Sequence, residues 1–361
     1  MSTTHTQIVP DDIDQTLDRS DKMGNRKPPL FIGWYGMAKS LMIQKFCERN
    51  GYHFIDFRAA YKTFNDVRGF PIPNRETGIM EWFPDEDWDW HPTKRNVICF
   101  EEVGNAQNST FKALMQAVHD RRVGKMKFPE GTIVCATSNK LDQKTGCQRM
   151  LAALVDRFAI YDVRPDIGGF QRYLEKEGKS PEVLAFINAN SDAPYNFKLD
   201  DWTGEENLPT FRSFSRLDEL VASYDSAEEA SSDPLLVPHA QSCVGPKYGT
   251  MFASFLKLAS KVGDVGRMVD ECRTCNIPTE PNLQWLVACR LITLANKENI
   301  KNVLTLAQRL STPNDPDWKS RKEPSMMQMF VGNGLRRRRS DLHRTETMLS
   351  WLSHYGEFLV D

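Results

Sequence analysis

A lysine and a serine close an eight-residue segment that has the residue types of a phosphate-binding loop. The segment is Gly33-Trp34-Tyr35-Gly36-Met37-Ala38-Lys39-Ser40, between the apolar run Leu30–Ile32 and a helical pattern over Leu41–Arg49. It matches the pattern G-x-x-x-x-G-K-[ST] except that Ala38 stands where the second glycine belongs. A loop that opens a helix directs several backbone N–H groups to one point, where the helix dipole adds positive charge. The segment therefore predicts a phosphate cradle.

The side chains of this loop suggest separate tasks. We expect Lys39 to reach the β- and γ-phosphates of a nucleotide and the Ser40 hydroxyl to bind Mg²⁺. Gly36 permits a turn that other residues resist, whereas Ala38 adds a methyl group close to the phosphates. An ordinary strand-to-helix turn with a surface lysine is the alternative. The residues predicted to contact the nucleotide are Gly33, Trp34, Tyr35, Gly36, Met37, Ala38, Lys39, Ser40 and Leu41.

Two carboxylates follow a second apolar run. Val97–Phe100 reads as a buried strand, and Glu101 and Glu102 come directly after it. Ligand sites of parallel sheets lie at the carboxyl ends of the strands, so this pair is expected beside the loop. Glu101 would hold the metal, in a place where aspartate is usual, and Glu102 would polarise the attacking water. The alternative is a strand that ends in solvated acids.

Two further polar residues fall at strand boundaries. Asn139 follows the run Thr132–Ala136, where its amide could orient a water beside the γ-phosphate. Arg157 precedes the next run, Phe158–Val163, where a guanidinium could stabilise charge on the transferred phosphoryl group, often across a subunit boundary. A salt bridge to Asp156 or a neighbouring acid is the alternative role for Arg157.

The elements around these residues alternate between strands and helices up to Pro165. Such alternation indicates an α/β fold with a mostly parallel sheet covered on both faces. Gly69–Trp82 interrupts it with two short apolar runs that predict a β-hairpin. After Pro165 the pattern is helical, and the acidic, Ser- and Pro-bearing stretch Ala227–Pro238 is predicted to be a loop.

Taken in order, these motifs resemble the MoxR-like branch of the AAA+ ATPases from about Pro29 to Arg216. In that resemblance Gly33–Ser40 corresponds to Walker A and Val97–Glu102 to Walker B. Asn139 corresponds to sensor 1 and Arg157 to the arginine finger. Arg212 looks like the sensor 2 arginine of a helical lid, and the Gly69–Trp82 hairpin looks like the insertion of this branch in its second helix.

The resemblance implies a P-loop NTPase fold, an αβα sandwich with a parallel five-stranded sheet in the order 5-1-4-3-2, followed by an all-α lid and C-terminal helices. It implies ATP and Mg²⁺ as ligands and a self-assembled ring, usually a hexamer. Relatives work as remodelling motors on protein partners, often beside a von Willebrand factor A-domain protein, in bacteria and phages. The resemblance thus predicts an ATPase with Lys39, Glu102, Asn139, Arg157 and Arg212 as its catalytic set.

Three departures from the family pattern fall in one pocket: Ala38, Glu101, and Gly104-Asn105 where an Asn-Arg pair is common. They leave open a nucleotide-binding scaffold with weak or no hydrolysis. A nucleic-acid-associated ATPase is a further alternative, because Arg336–Arg339 could contact phosphates. Interspersed acids and the lack of aromatic interleaving in the sequence favour a solvated helix face or a protein-docking surface instead.

Composition sets the outer bounds. The 361 residues are 40% hydrophobic and 26% charged with a formal net charge of −2, which gives no general bias toward nucleic acid or anionic membranes. No apolar run is long enough to span a bilayer and the N-terminal stretch has no hydrophobic segment, so we expect a cytoplasmic protein, in bacteria or in a phage-infected host. The eight scattered cysteines read as buried thiols.

We predict five regions from these patterns. They are a flexible polar tail over 1–28, the nucleotide-binding core over 29–164, a helical lid over 165–235, a helical region over 236–311 and a charged helical tail over 312–361.

Overall fold

The computed structural model describes residues 6–141, 143–177, 180–310, 325–339 and 341–355. Residues 1–5 of the predicted tail and residues 312–324, 340 and 356–361 of the predicted charged C-terminal region lie outside the described residues. The chain divides into two units, Met1–Asp166 and Ile167–Asp361, which are taken in turn below.

The first unit contains ten strands and five α-helices among its described residues. The strands are β1 (Thr6–Ile8), β2 (Pro29–Gly33), β3 (His53–Arg58), β4 (Phe70–Pro73), β5 (Met80–Phe83), β6 (Asn96–Glu101), β7 (Arg122–Val123), β8 (Met126–Lys127), β9 (Ile133–Ser138) and β10 (Ala159–Val163). The helices are α1 (Asp12–Lys22), α2 (Lys39–Asn50), α3 (Phe64–Arg68), α4 (Asn108–Asp120) and α5 (Ala152–Val155).

Six of these strands form one parallel sheet in the order β1-β10-β2-β9-β6-β3. Without β1, this order is the predicted 5-1-4-3-2, which is therefore confirmed. β6 and β9 are completely buried along their length, as expected for central strands covered on both faces. All strands of the sheet run the same way, so their carboxyl ends share one edge.

The N-terminal segment differs from the predicted flexible tail. β1 extends the sheet beyond β10, and Ile13 and Leu17 of α1 are fully buried. The side-chain amide of Asn25 donates to Val134 O (3.0 Å) and accepts from Val134 N (2.8 Å), while Arg121 donates to its carbonyl and side-chain oxygens. The segment has few apolar residues, but two of them, Ile13 and Leu17, have helical spacing and face the core, which a count of polar residues does not reveal.

The predicted hairpin is present as the antiparallel pair β4–β5. It follows α3, a helix of five residues that a Thr63–Asp66 capping box begins. Residues 84–95, all of which the structure describes, then reach β6 without a further helix. In this stretch Trp88 and Trp90 stack and Trp88 packs on Phe57, so the stretch is anchored to the sheet by aromatic contacts.

The second unit is helical in its described residues, as predicted. Its helices are α6 (Ile167–Lys176), α7 (Pro181–Ala189), α8 (Phe211–Ala222), α9 (Ala227–Ser232), α10 (Leu236–Val244), α11 (Pro246–Ala259), α12 (Val265–Asp270), α13 (Pro281–Leu294), α14 (Ile300–Leu310), α15 (Met326–Arg338) and α16 (Glu346–Tyr355). In the part of the chain that the structure describes, no helix is long and apolar enough to cross a membrane.

The predicted loop over Ala227–Pro238 is wrong, because α9 and the first turn of α10 occupy it. Ser226 accepts a hydrogen bond from the N–H of Glu229 and so caps α9, whose first turn is acidic and therefore favourable at a helix N-terminus. Pro238 lies in the first turn of α10, where the absent N–H would have no partner within the helix. Residues that read as loop signals thus serve as helix caps.

The cysteines agree with the prediction of buried thiols. All eight are free, and six are buried. The pair with ligand-like spacing, Cys272 and Cys275, contacts Arg309, whose guanidinium donates to the Cys272 carbonyl (2.6 Å) and lies 3.5 Å from Cys275 Sγ. A cation in this position opposes a second positive charge, so the pair is structural.

The Asn25 contacts generate a stability prediction. Asn25→Ala removes a buried amide that satisfies both backbone groups of Val134 and leaves Arg121, whose pKa burial lowers to about 10, with fewer acceptors. We expect the free energy of unfolding to fall by about 2–3 kcal/mol in urea titrations. Asn65→Ala, at an exposed position of α3, is the matched control. Equal stability of both variants would show that the Asn25 contacts do not stabilise the packing of the N-terminal segment.

Candidate nucleotide-binding site

The loop between β2 and α2 has the left-handed backbone that a tight phosphate cradle requires. Gly36 has φ 71° and Ala38 has φ 69° and ψ 17°. A Cβ at Gly33 would lie 2.6 Å from the carbonyl oxygen of Val163, so only glycine fits where the loop leaves β2 beside β10. Met37 is 1% exposed and anchors the middle of the loop in the core. The buried Met37 side chain therefore fixes the loop to the core, while the loop backbone turns at the edge of the sheet.

Ala38 occupies the left-handed position for which the phosphate-loop pattern has glycine. An L-residue in this conformation costs about 1–2 kcal/mol, because Cβ approaches the carbonyl oxygen of the same residue. Ala38 precedes α2 directly, so the strain is located where the helix N–H groups begin. The substitution therefore keeps the loop geometry at the expense of local stability.

Lys39 lies inside the curve of the loop. It is 8% exposed, and its Nζ donates to the carbonyl oxygens of Gly33 (3.0 Å) and Trp34 (2.7 Å). Ser40 and Leu41 follow in the first turn of α2 and are exposed. The ammonium group of Lys39 is thus held at the concave side of the loop, where a phosphate would meet it.

The aromatic residues of the loop, Trp34 and Tyr35, are partly buried. Their rings meet edge to face with centroids 6.2 Å apart. Burial raises the pKa of the Tyr35 hydroxyl, which therefore stays neutral. Both were predicted to contact nucleotide, and that prediction stays open.

The two predicted carboxylates point in different directions at the end of β6. Glu101 is 6% exposed; Cys99 Sγ donates to its Oε1 (3.4 Å), and Thr137 Oγ1 donates to its Oε2. Burial raises the pKa of the Cys99 thiol well above its ordinary value, so the thiol keeps the proton that it donates. Glu102 adopts φ 53° and ψ 41°, and its side chain is exposed. One acid is thus fixed inside the sheet edge and the other is presented outward.

The turn after β6 and the loop after β9 pack against each other. A Cβ at Gly104 would lie 2.3 Å from Cys147 Sγ and 2.5 Å from Ser138 Oγ. Asn105 Nδ2 donates to Thr145 O (2.8 Å), and the thiol of Cys147 and the hydroxyl of Ser138 both donate to the carbonyl of Asn139. Asn139 is therefore held through its backbone, beside the turn that carries Glu102.

Arg157 lies just after α5 and is partly buried. Its Nη1 donates to the carbonyl of Ala153, so the guanidinium caps the end of its own short helix. Arg212 lies in the first turn of α8, in the second unit, and is exposed. The roles predicted for these two arginines stay predictions.

Three residues of this region were not singled out in the sequence: Cys99, Thr137 and Cys147. For Cys99 and Thr137 a signal exists, because alternate residues of a strand face the same side. Cys99 precedes Glu101 by two residues, and Thr137 lies one residue beyond the last register pair, Phe100 with Ala136. Cys147 comes from an irregular loop that no periodicity describes.

The oxygen donors of this edge suit a hard cation. The Ser40 hydroxyl and the buried Glu101 carboxylate are the ligand types that Mg²⁺ takes from proteins, which usually supply one or two groups beside substrate phosphates. Among the described residues no group of three or more His, Cys, Asp or Glu side chains forms an all-protein metal site. The residues present therefore fit a magnesium ion that enters with a nucleotide.

The arginine run Arg336–Arg339 is partly engaged within the second unit. Arg337 Nη1 lies 3.1 Å from Oε2 of Glu175, which is 3% exposed. Arg339 pairs with Asp341 (3.0 Å) and donates to the carbonyl of Ala295. These two arginines neutralise a buried acid and cap a helix end, respectively, which reduces the charge available to a phosphate backbone.

Comparisons with known proteins find similarity only among solved structures. No protein-family model and no curated protein matches the chain. A candidate ATPase from Cytophaga hutchinsonii aligns with TM-score 0.34 and 14% identity over 98% of this chain and 91% of its own. The RuvB Holliday junction branch migration motor of Thermotoga maritima aligns with TM-score 0.35 and 11% identity over 78% of this chain and 79% of its own. Hsp104 aligns with TM-score 0.34 and 14% identity over 73% of this chain and 45% of its own.

Scores of this size carry no argument about activity, and the fold is assigned from the chain itself. The strand order, the loop from β2 into α2 and the acids after β6 together define an α/β P-loop NTPase fold with a helical C-terminal part.

The left-handed conformation of Ala38 predicts a stabilising reversion. Ala38→Gly removes the Cβ conflict but adds freedom to the unfolded chain, so we expect a net gain of about 0.5–1 kcal/mol in the free energy of unfolding. The matched control is Ala153→Gly in α5, where φ is not positive and glycine should destabilise instead. Chemical denaturation measures both, and a loss of stability in Ala38→Gly would contradict the strain.

The Glu175–Arg337 pair predicts a pH-dependent stability effect. Burial raises the pKa of Glu175, and Arg337 and Arg172 oppose this rise. Because the folded pKa lies above the unfolded one, the native state loses stability as pH rises through the folded pKa, and more so without Arg337. We expect Arg337→Ala to cost about 2–4 kcal/mol at pH 8 and clearly less at pH 5. Urea unfolding at both pH values measures this, with the exposed Arg344→Ala as control; equal losses at both would contradict it.

Proposed function

We propose that this chain binds ATP with Mg²⁺ in the loop Gly33–Ser40 and hydrolyses it, as a remodelling motor of the MoxR-like AAA+ type that acts on a protein partner. The observation that carries the proposal is the joint placement of the left-handed loop, with Lys39 on its concave side, and of Glu101 and Glu102 at the same edge of a parallel sheet. Each part alone occurs in other contexts, but together they supply phosphate binding, metal binding and a base.

In this proposal the chain's own groups do most of the work. The N–H groups at the start of α2 and the Lys39 ammonium bind the phosphates, and Ser40 and Glu101 hold the metal. When bound, Mg²⁺ neutralises charge on the phosphates. Glu102, which is exposed, accepts the proton of the attacking water, and Asn139 orients that water.

Arg157 would complete the site from a neighbouring copy. Its guanidinium lies at the end of α5 and is partly exposed, which is compatible with donation to a second subunit in a ring. The ring itself, and any role for Arg212, are part of the proposal.

A protein partner is supported by the hairpin β4–β5. A two-stranded ribbon with both faces apolar is marginally stable in water, and such surfaces mark interaction sites. Both strands and the turn between them carry exposed apolar side chains: Phe70, Ile72, Ile79, Met80 and Phe83, each between 48% and 60% exposed. Trp82, by contrast, is covered by the Arg68 guanidinium, 4.7 Å from its ring centroid. The partner implied by the family resemblance is a von Willebrand factor A-domain protein.

A nucleotide-binding scaffold with little or no turnover is the second candidate function, favoured by Ala38 and Glu101. Both residues change groups that would touch phosphate or metal. A nucleic-acid-associated role gains no support, because Arg337 and Arg339 have acidic partners within the chain.

The Lys39→Ala variant tests the proposal. We expect the wild-type chain to release phosphate from ATP and the variant to do so about 100-fold more slowly or not at all, because the ammonium that stabilises the phosphates is gone. Lys112→Ala, at an exposed position of α4, is the matched control. Phosphate release is measured beside mant-ATP binding, melting temperature and particle mass.

The outcomes separate the readings. Unchanged hydrolysis in Lys39→Ala would mean that the site lies elsewhere. If ATP raises the wild-type melting temperature with no phosphate release, the scaffold function is correct and the motor is not.

A further inference from the structure

One hydroxyl connects the two carboxylates at the end of β6. Thr137 Oγ1 donates its proton to Oε2 of Glu101 and accepts the backbone N–H of Glu102 at 3.2 Å. A hydroxyl has one proton to give and two lone pairs, so both contacts can form at once. Thr137 is 2% exposed, and water therefore has little access to replace either contact.

The position of Thr137 follows from the register of the sheet. The ladder between β6 and β9 ends at the pair Phe100–Ala136, and Thr137 lies one residue beyond it. At that point β6 turns away, because Glu102 is left-handed. The Thr137 hydroxyl thus takes the place of the next backbone acceptor for Glu102 and lies beside the Glu101 carboxylate at the same time.

The contacts also account for a glutamate where aspartate is usual. Both oxygens of Glu101 have protein donors, Cys99 on its own strand and Thr137 on the neighbouring strand. The extra methylene lets the carboxylate lean toward β9 and reach the Thr137 hydroxyl. We expect an aspartate at 101, which is one methylene shorter, to end short of it.

We infer that Thr137 is a positioning residue that sets the orientation of both acids: of the Glu101 carboxylate directly and of Glu102 through its backbone N–H. The inference rests on the proposed function, in which Glu101 holds the metal and Glu102 accepts a proton. Thr137 contacts neither nucleotide nor metal in this role. Its effect on turnover passes through the two glutamates.

The first test compares Thr137→Val with Thr137→Ser. Valine keeps the shape but removes the hydroxyl, so we expect kcat to fall about 10- to 100-fold, as for other residues that orient metal ligands. The KM for ATP should change by less than about threefold, because the phosphate loop is untouched. Serine keeps the hydroxyl and should restore kcat to within about threefold of the wild type.

Thr110→Val is the matched control. Thr110 is also fully buried in the first unit, and its hydroxyl donates to the carbonyl of Lys62 at 2.7 Å. It should lose stability much as Thr137→Val does but keep kcat. A fall in kcat of equal size in both valine variants would show a general structural effect and would overturn the inference.

A double-mutant cycle tests the route through Glu101. If Thr137 acts on that carboxylate, the effect of Thr137→Val on kcat should shrink about threefold or more in a Glu101→Asp background, where the side chain no longer reaches the hydroxyl. If the fold-reductions in kcat of Thr137→Val and Glu101→Asp simply multiply in the double variant, Thr137 does not act through the Glu101 carboxylate.

Metal binding supplies a readout that does not depend on turnover. The Kd for Mn²⁺ in the presence of ADP, followed by electron paramagnetic resonance, should rise about tenfold in Thr137→Val and remain unchanged in Thr110→Val. A wild type that binds Mn²⁺ and ADP but releases no phosphate contradicts the proposed hydrolysis, and the Mn²⁺ affinities then decide the inference. Equal affinities in wild type and Thr137→Val overturn it, and a wild type that binds neither ligand overturns both.

Discussion

The candidate site depends on one constraint: the chain must leave β2 and enter α2 within five residues, at an edge where neighbouring strands also end. Two left-handed residues, Gly36 and Ala38, make that reversal possible. Gly33 permits it by leaving room for the Val163 carbonyl. This turn directs the first N–H groups of α2 toward the concave side of the loop. There the Lys39 ammonium donates to the carbonyl oxygens of Gly33 and Trp34. The strain at Ala38 is therefore located at the point that the proposed activity requires most.

The parallel sheet turns this local geometry into a site. Because β2, β6 and β9 run the same way, their carboxyl ends bring residues distant in sequence to one edge, and period-two alternation decides which side chains share a face. Glu101 and Thr137 meet for this reason, although 36 residues separate them. Such a contact between neighbouring strands adds precision that a loop alone could not provide, since both partners belong to fully buried strands. The exposed Glu102 gains its orientation from the same contact through its backbone.

The sequence predicted the strands and the loop because both rest on strong local signals: short β-rich runs, a spaced Gly/Lys/Ser pattern and acids after an apolar run. The strand order was implied only by the family resemblance, because it depends on contacts between strands that are distant in the chain. It did not predict β1 and α1, because two buried residues in a polar segment, Ile13 and Leu17, give a weak signal, and the Asn25 contacts with β9 are wholly nonlocal. The loop predicted over Ala227–Pro238 is helical because Ser and Pro are as favourable at a helix start as in a turn. Whether such a residue begins a helix or belongs to a turn is decided by its contacts in the folded structure.

The departures from the usual site residues acquire a physical meaning when they are considered together. Ala38 keeps the loop conformation and adds strain, whereas Glu101 lengthens a side chain that Cys99 and Thr137 then hold at both oxygens. A carboxylate buried without donors would cost several kcal/mol or take up a proton. The presence of two donors means that the longer acid is accommodated by the residues around it. Because any buried carboxylate needs such donors, the Cys99 thiol and the Thr137 hydroxyl explain how the sheet edge holds a glutamate at this position, whether or not a cation is bound.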